Sequence, residues 1–514
     1  MKKTVHTNLV RFLVLVLALC MMIPMFTACN PPEEGPDDPI KDDPTTNPNN
    51  PDNPENPDKE PDPEGPDIYD VEDSLPESAN YGTTFNILYF QEKLAVNFWV
   101  DDRTGGVIDN AVYDAISKTE ERFGVDIVGV GSSAGNEINH VAQIRNQINS
   151  GKPDFDLSRA HDVQGANLSL EGAFMDLYDV PNLDFTKPWW PANTMQSLTF
   201  MGQMYLISSS MSYQGLSSTS SVFFNKTLME DYGIEEPYEA VKSGEWYLSD
   251  MFSSIEDFWE EGDDGYDGKS ADDVFGIVIP YQLYAWQESF GIELVQKDKD
   301  TGELILNGND ERIYTLFDEM YRVCWENEGG YMIAREDAKV IFGEGRAVYI
   351  PVDLGAAVTN FLHYDIEYGI VPYPKLDDSQ EQYYAGYTDR YFAIPYNCPD
   401  PEYVGTILES MSAEGYRQVT PAYFEVALKN RYTKDQTSKE MVDLIKQSMI
   451  LDFAYVYGND TKWWSRSLYH LLSGKDKTAS KDYASYYQNI LPEAEARVEA
   501  VTKAFEEMQA RKSQ

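Results

Sequence analysis

Two hydrophobic periods alternate along the chain from residue 84 onward. Thr84–Phe90 (TFNILYF) is a compact apolar run and predicts a strand; Val107–Phe123 repeats apolar positions every three or four residues and predicts a helix. Val125–Val130 reads as the next strand, Asn136–Asn149 as a helix closed by Gly151 and Pro153, and Phe155–Leu157 as a short strand. This β-α-β-α-β order predicts parallel strands joined by crossover helices. Further on, Met204–Ser208 and Ser221–Asn225 read as strands flanking a Ser-rich run. A helix from Lys226 stops at Gly233, before Pro237. The pattern then gives a helix over Gly244–Phe258, a strand over Asp272–Ile279, a helix at Tyr284–Phe290 and a long amphipathic helix over Asp310–Glu328. Apolar-rich stretches follow at Ala338–Tyr349, Ile350–Leu354 and Tyr368–Pro374. Helices near Pro401–Glu414, Ser438–Met449 and Pro492–Arg511 complete it.

The first 80 residues break this pattern. Lys2, Lys3 and Arg11 precede or open an almost wholly apolar stretch, Leu9–Phe26, with small residues at Thr27 and Ala28. That is the layout of a secretory signal. Cys29 follows at once, and FTAC resembles a bacterial lipobox, so cleavage after Ala28 and lipidation of Cys29 are expected. Cys20 is the poorer acceptor, with bulky Leu19 before it. Residues 29–80 then read as a tether. Twelve Pro lie between Pro31 and Pro66, and Asn30–Asn80 holds 17 acidic and 2 basic residues. Such a segment buries too little apolar surface to offset its ordering entropy.

Composition removes several classes. A net charge of −47 argues against nucleic acid or an anionic membrane surface as partner. Four Cys do not make a disulfide framework, and five scattered His show no metal-ligand spacing. The acidic run after Phe258 lacks EF-hand spacing, so no metal and no cofactor are expected.

Several segments resemble, in order, the extracellular solute-binding proteins (family 1 type) of bacterial ABC importers. SGKPDFDL matches the end of that family's second helix, with Phe155 and Asp156 in place of a plain apolar pair. Asp176–Tyr178 matches a turn. GQMYLIS followed by FFNKTLM matches the first interdomain crossover, with Ser208 where Pro is usual. AKVIFGEGRAVY, YGIVPYP and YAGYTDRYFAIPYN match the later helix-to-strand unit, a strand and the returning crossover. The resemblance implies an α/β fold of periplasmic-binding-protein-like type II, two lobes joined by crossover hinge strands near Tyr213 and Tyr387. Residues 81–212 with 386–428 would form the first lobe, and 213–385 with 429–514 the second. It also implies a monomeric, lipid-anchored protein on the outer face of a bacterial cytoplasmic membrane. That protein would close on a small solute, most simply a mono- or oligosaccharide, and deliver it to ABC permease subunits.

By position in that resemblance, His161 and Asp162 are the first-lobe ligand candidates, Tyr213 and Gln214 those of the crossover, and Tyr281, Trp286 and Asp353 those of the second lobe. Asp389 and Arg390 come from the return, and Trp463 and Trp464 from a polar loop near the C-terminus. Aromatic faces cover sugar C–H surface while amides and carboxylates pair with hydroxyls. Asp353 stands out because an acid ending an apolar strand of a parallel sheet points to the ligand crevice. Each has a plainer reading: Trp286 as core, Asp389 and Arg390 as hinge charges pairing with other charges, His161 as a lobe-edge residue. Two other functions compete. Gly131–Gly135 (GSSAG) fits the G-x-S-x-G elbow of an α/β hydrolase, with Ser133 as nucleophile, though no oxyanion-loop sequence lies upstream. A ligand sensor of the same fold is the other.

Overall fold

The computed structural model describes residues 68–90, 97–132, 136–263, 265–266, 268–281, 286–432, 436–458, 467–473 and 479–512. The signal, Cys20, Cys29, most of the tether, Ser133, Trp463 and Trp464 lie outside the described residues.

The first lobe is built on a sheet with Thr83–Tyr89 between Val125–Gly131 and Leu157–His161, all parallel; Arg390–Ala393 closes the far edge antiparallel to Leu157–His161. The helix Val107–Phe123 covers it with Val112, Ala115, Ile116 and Phe123, the three-and-four spacing read from the sequence. It ends at Gly124 in the left-handed conformation (φ 56°), where a Cβ would come within 2.2 Å of the Asn80 side chain. Asn136 starts the helix Glu137–Asn149 by accepting from the Asn139 amide.

The second lobe's sheet runs Tyr368–Val371, Ser220–Asn225, Ala347–Asp353, Val274–Pro280 and Trp259–Glu260, with Gly330–Ile333 pairing to Val274–Pro280. Its central strands are buried over nearly their whole length, so their sequences read as apolar runs.

Among the described residues up to Tyr432, three connections join the lobes. Residues 208–219 lead from the first sheet to Ser220–Asn225, and residues 372–389 return from Tyr368–Val371 to Arg390–Ala393. The third is helical. Pro401–Glu414 packs on Val107–Phe123, then widens into π-helical turns at Gly415–Val419 and Ala422–Tyr432. There Tyr423, Phe424 and Leu428 enter the core of the second lobe.

Several expectations are corrected. Met204–Ser208 makes one isolated bridge, Ile207 to Phe392, instead of a strand, because Met204 bonds to the Asp176 side chain and the Leu177 amide. The strand expected at Phe155–Leu157 begins at Leu157 and reaches His161. The helix expected over Gly244–Phe258 is confined to Leu248–Ser253, and Gly244 (φ 77°) instead caps a preceding helix, Tyr238–Ser243. The α-helix expected to reach Glu328 ends at Tyr321 and continues as a π turn, Arg322–Glu326. The last helix starts at Tyr483, so Pro492 is interior. The tether was expected to run to Asn80, but Tyr69 is already buried on the body. Asp73 accepts from Arg122 at 2.8 Å and Arg417 at 3.0 Å; burial alone would raise its pKa, yet these cations hold it down to about 2. Phe453–Tyr457 and the end of the last helix, assigned from sequence to the second lobe, pack on the helix Asp162–Leu170 of the first. Cys324 and Cys398 are free thiols.

Candidate ligand cleft at the hinge

A cavity of about 170 Å³ opens where the first two connections meet the carboxyl ends of the second lobe's strands. Pro280 ends one of these parallel strands and Pro351, Val352 and Asp353 end the other. The crossovers supply Gln214, Ser217, Ser218 and Thr388, and Ser220 opens the strand that follows the first; Trp286, Arg335 and Tyr373 complete the wall. Crevices outside the carboxyl ends of parallel strands are where α/β sheets bind ligands.

Asp353 is delivered by its strand and forms a short ion pair with Arg335, the first residue of the helix Arg335–Gly343. Burial works against the Arg335 charge, but the Asp353 carboxylate offsets it and holds the guanidinium pKa above its ordinary value. Trp286 is 2 % exposed and meets the Tyr373 ring edge-on, with centroids 5.1 Å apart and planes at 89°. Burial pushes the Tyr373 phenol far up, so it is a neutral donor at any ordinary pH. The Gln214 amide oxygen accepts from Asn97 Nδ2 at 2.5 Å, which fixes which end of the amide faces the cavity. Ser218 Oγ donates to the Thr388 carbonyl and accepts from its amide at 3.3 Å, stitching the two crossovers at the cleft floor.

Of the residues expected from sequence, Gln214, Trp286 and Asp353 line this one cavity. Tyr213 lies behind it, stacked on Tyr423 at 5.3 Å, its pKa raised to about 12 by burial and then by the Asp109 charge. Tyr281 follows Val274–Pro280, with its amide on the Ile333 carbonyl. Asp389, the last residue of the second crossover, is buried, accepting from Ser208 Oγ and lying 3.9 Å from Arg159. Arg390 pairs with Glu137 at 3.1 Å and sits opposite His161 in the sheet, while Asp162 opens the next helix. These four mark the first lobe's edge and hinge, away from the cavity wall. Arg335, Tyr373, Thr388 and the three serines were not foreseen. Tyr373 lies inside the quoted YGIVPYP, Thr388 inside YAGYTDRYFAIPYN and the serines in the Ser-rich run, so the sequence marked their segments without singling them out.

A second, larger cavity of about 270 Å³ lies between Pro188–Thr194 and the crossovers. Its wall is mainly apolar, and some of its hydroxyls are already engaged: Ser208 with Asp389, Thr194 with Tyr387. The cleft with Asp353 is the better polar-ligand site. Among the described residues no group of His, Cys, Asp and Glu could hold a metal, and no helix is long and apolar enough to cross a membrane.

The family model described as bacterial extracellular solute-binding protein matches residues 114–416, more than half of the chain. The chain belongs to that family. Solved structures share the fold of this solute-binding protein at low identity. UgpB from Mycobacterium tuberculosis, in complex with glycerophosphocholine, is 14% identical with a TM-score of 0.54, covering 80% of this chain and 98% of that one. The GacH receptor of Streptomyces glaucescens, solved unliganded and with acarbose, is 12% identical at 0.51, covering 83% and 98%. The maltose/maltodextrin-binding domain MalE of Bdellovibrio bacteriovorus, bound to maltotriose, is 12% identical at 0.51, covering 83% and 100%. No curated protein matches the sequence. The likeness establishes two α/β lobes of the type II binding-protein kind, and the family establishes solute binding.

Proposed function

We propose that this solute-binding protein captures a carbohydrate in the cleft at Asp353 by closing its lobes, and hands it to a separate ABC permease without chemically changing it. The observation that carries the sugar reading is the charge state of the cavity. Its one guanidinium among the described residues, Arg335, is already matched by Asp353, so the wall offers a neutral set of hydroxyls, one amide and two aromatic rings. That suits a neutral polyol and leaves no unmatched cation for a phosphate. GacH with acarbose and MalE with maltotriose support this reading, and UgpB with glycerophosphocholine marks the competing one. A volume of about 170 Å³ falls below the roughly 300–1,000 Å³ of drug-sized sites, so the cavity takes one ring and leaves the rest of a longer ligand between the lobes.

Capture by closure needs ligand contacts from both sides that coexist only when the lobes meet. Candidate partners across the cleft are His161, Asp162 and Arg390 on the first lobe. Lipidation at Cys29 would hold the protein outside the membrane on its acidic, proline-rich tether. A thermal-shift series against mono- and oligosaccharides tests the reading, since a ligand of the native state stabilises it by RT ln(1 + [L]/Kd) and so raises Tm. At least one saccharide should raise Tm with concentration. A rise with glycerophosphocholine and none with any sugar would overturn the carbohydrate assignment.

A further inference from the structure

Arg159 stands in the strand Leu157–His161 of the first lobe, 2 % exposed, and reaches both crossovers at once. Its guanidinium is fixed between aromatic rings, 4.7 Å from the Phe98 centroid and 5.5 Å from that of Phe392. From there Nη2 donates to Ser212 Oγ at 3.0 Å on the first crossover and lies 3.9 Å from Asp389 Oδ1 on the second. Each partner adjoins a cavity residue. Ser212 Oγ accepts the Gln214 amide at 3.2 Å, and Asp389 directly follows Thr388 in sequence. Asp389 also accepts from Ser208 Oγ, and from the Arg390 amide at 2.7 Å. The packing leaves no slack: a Cβ on Gly215 would come within 3.1 Å of Asp389 Oδ2 and 3.3 Å of the Tyr387 ring.

A buried pair at 3.9 Å is a poor source of stability. Apolar residues of the same volume commonly do as well, while removing one partner strands the other's charge. What apolar residues would not reproduce is a fixed donor held against two separate chain segments. We infer that Arg159 is a positioning residue of the ligand cleft. It ties both crossovers to the first lobe's sheet, and through Ser212 and Asp389 it sets where Gln214 and Thr388 face the cavity.

Positioning and bulk stability separate in a paired variant of the full chain. Arg159→Met alone strands the Asp389 carboxyl and should lower Tm. Adding Asp389→Leu removes that charge and should recover most of the loss. In the double variant, amide exchange in peptides covering residues 212–218 and 386–390 should still run about tenfold faster than in the wild type, with Val274–Pro280 unchanged. Exchange in both crossovers equal to wild type would overturn the inference; a uniform increase across the chain would also overturn it, as a loss of global stability. Should the double variant fail to fold, Arg159→Lys decides the matter, because it keeps the charge and loses the fork. Faster exchange over residues 212–218 at near-wild-type Tm is then expected, and unchanged exchange refutes. None of these readouts involves a sugar, so they stand or fall apart from the carbohydrate reading.

Discussion

Asp353 reaches the cavity already ion-paired with Arg335, and its carboxylate is the one acidic acceptor among the described residues of the wall. Asp353→Asn should therefore weaken the saccharide identified by thermal shift about tenfold or more, the scale of one charge-assisted hydrogen bond. Titration calorimetry checks this; unchanged affinity would remove Asp353 from the contact set. The acid was legible in the sequence because it closes an apolar strand. Arg335 was not, since its partner is 18 residues away and its place depends on a helix starting three residues before the expected Ala338. Asp389 illustrates the opposite failure. A polar pair at the hinge could be read, but the burial that engages it with Ser208 and Arg159 is tertiary information.

At the scale of elements, hydrophobic period located most strands and helices, and punctuation misled where tertiary packing overrode it. Pro492 reads as a helix start, where its missing amide costs nothing. It lies instead inside a 30-residue helix, Tyr483–Lys512. Before it, Tyr483 packs on Tyr314 and Phe317 of the second lobe's helix Glu311–Tyr321. After it, Arg497 donates to the Tyr457 carbonyl at 2.6 Å and Asn167 Oδ1 at 2.8 Å, and Phe505 lies 5.2 Å from Phe200 of the first lobe. Packing at both ends keeps the helix continuous through a residue that disfavours it. Pro492→Ala restores a main-chain donor and a good helix former. Allowing for the entropy that proline removes from the unfolded chain, it should stabilise the protein by about 1–2 kcal/mol. Calorimetry reads this as a higher Tm, and a lower one would show that the helix depends on the proline's geometry.

The whole molecule carries a net charge of −47 at neutral pH, and its most perturbed buried acids respond to that range with a definite sign. Two-lobed order was legible here because parallel β-α units and their crossovers leave a serial pattern. The buried charges were not, because 87 acidic residues look alike in a sequence. Glu409 is one of them. Its carboxylate accepts from Trp189 Nε1 at 3.1 Å, Trp190 Nε1 at 3.0 Å and the Asp184 amide at 3.1 Å, yet burial prevails and raises its pKa to about 7. Burial also pushes the Asp452 carboxyl up. For a carboxyl whose folded pKa exceeds its unfolded one, the native state binds the proton more tightly, so between about 4.5 and 7 stability falls as pH rises. Asp73 has the reverse sign. With its pKa held at about 2, its contribution is complete above the ordinary value of 3.8 and fades only below it. Self-repulsion among the acids also eases as pH falls. Tm should therefore climb from pH 7.5 toward 5 and drop again below about 4. In Glu409→Gln the neutral amide mimics the protonated acid, so the climb between pH 7.5 and 5 should be shallower than in the wild type. Thermal melts of the two proteins in matched ionic strength decide it. Parallel curves would mean that Glu409 does not titrate there, and would leave Asp452 and surface charge as the sources of the acid optimum.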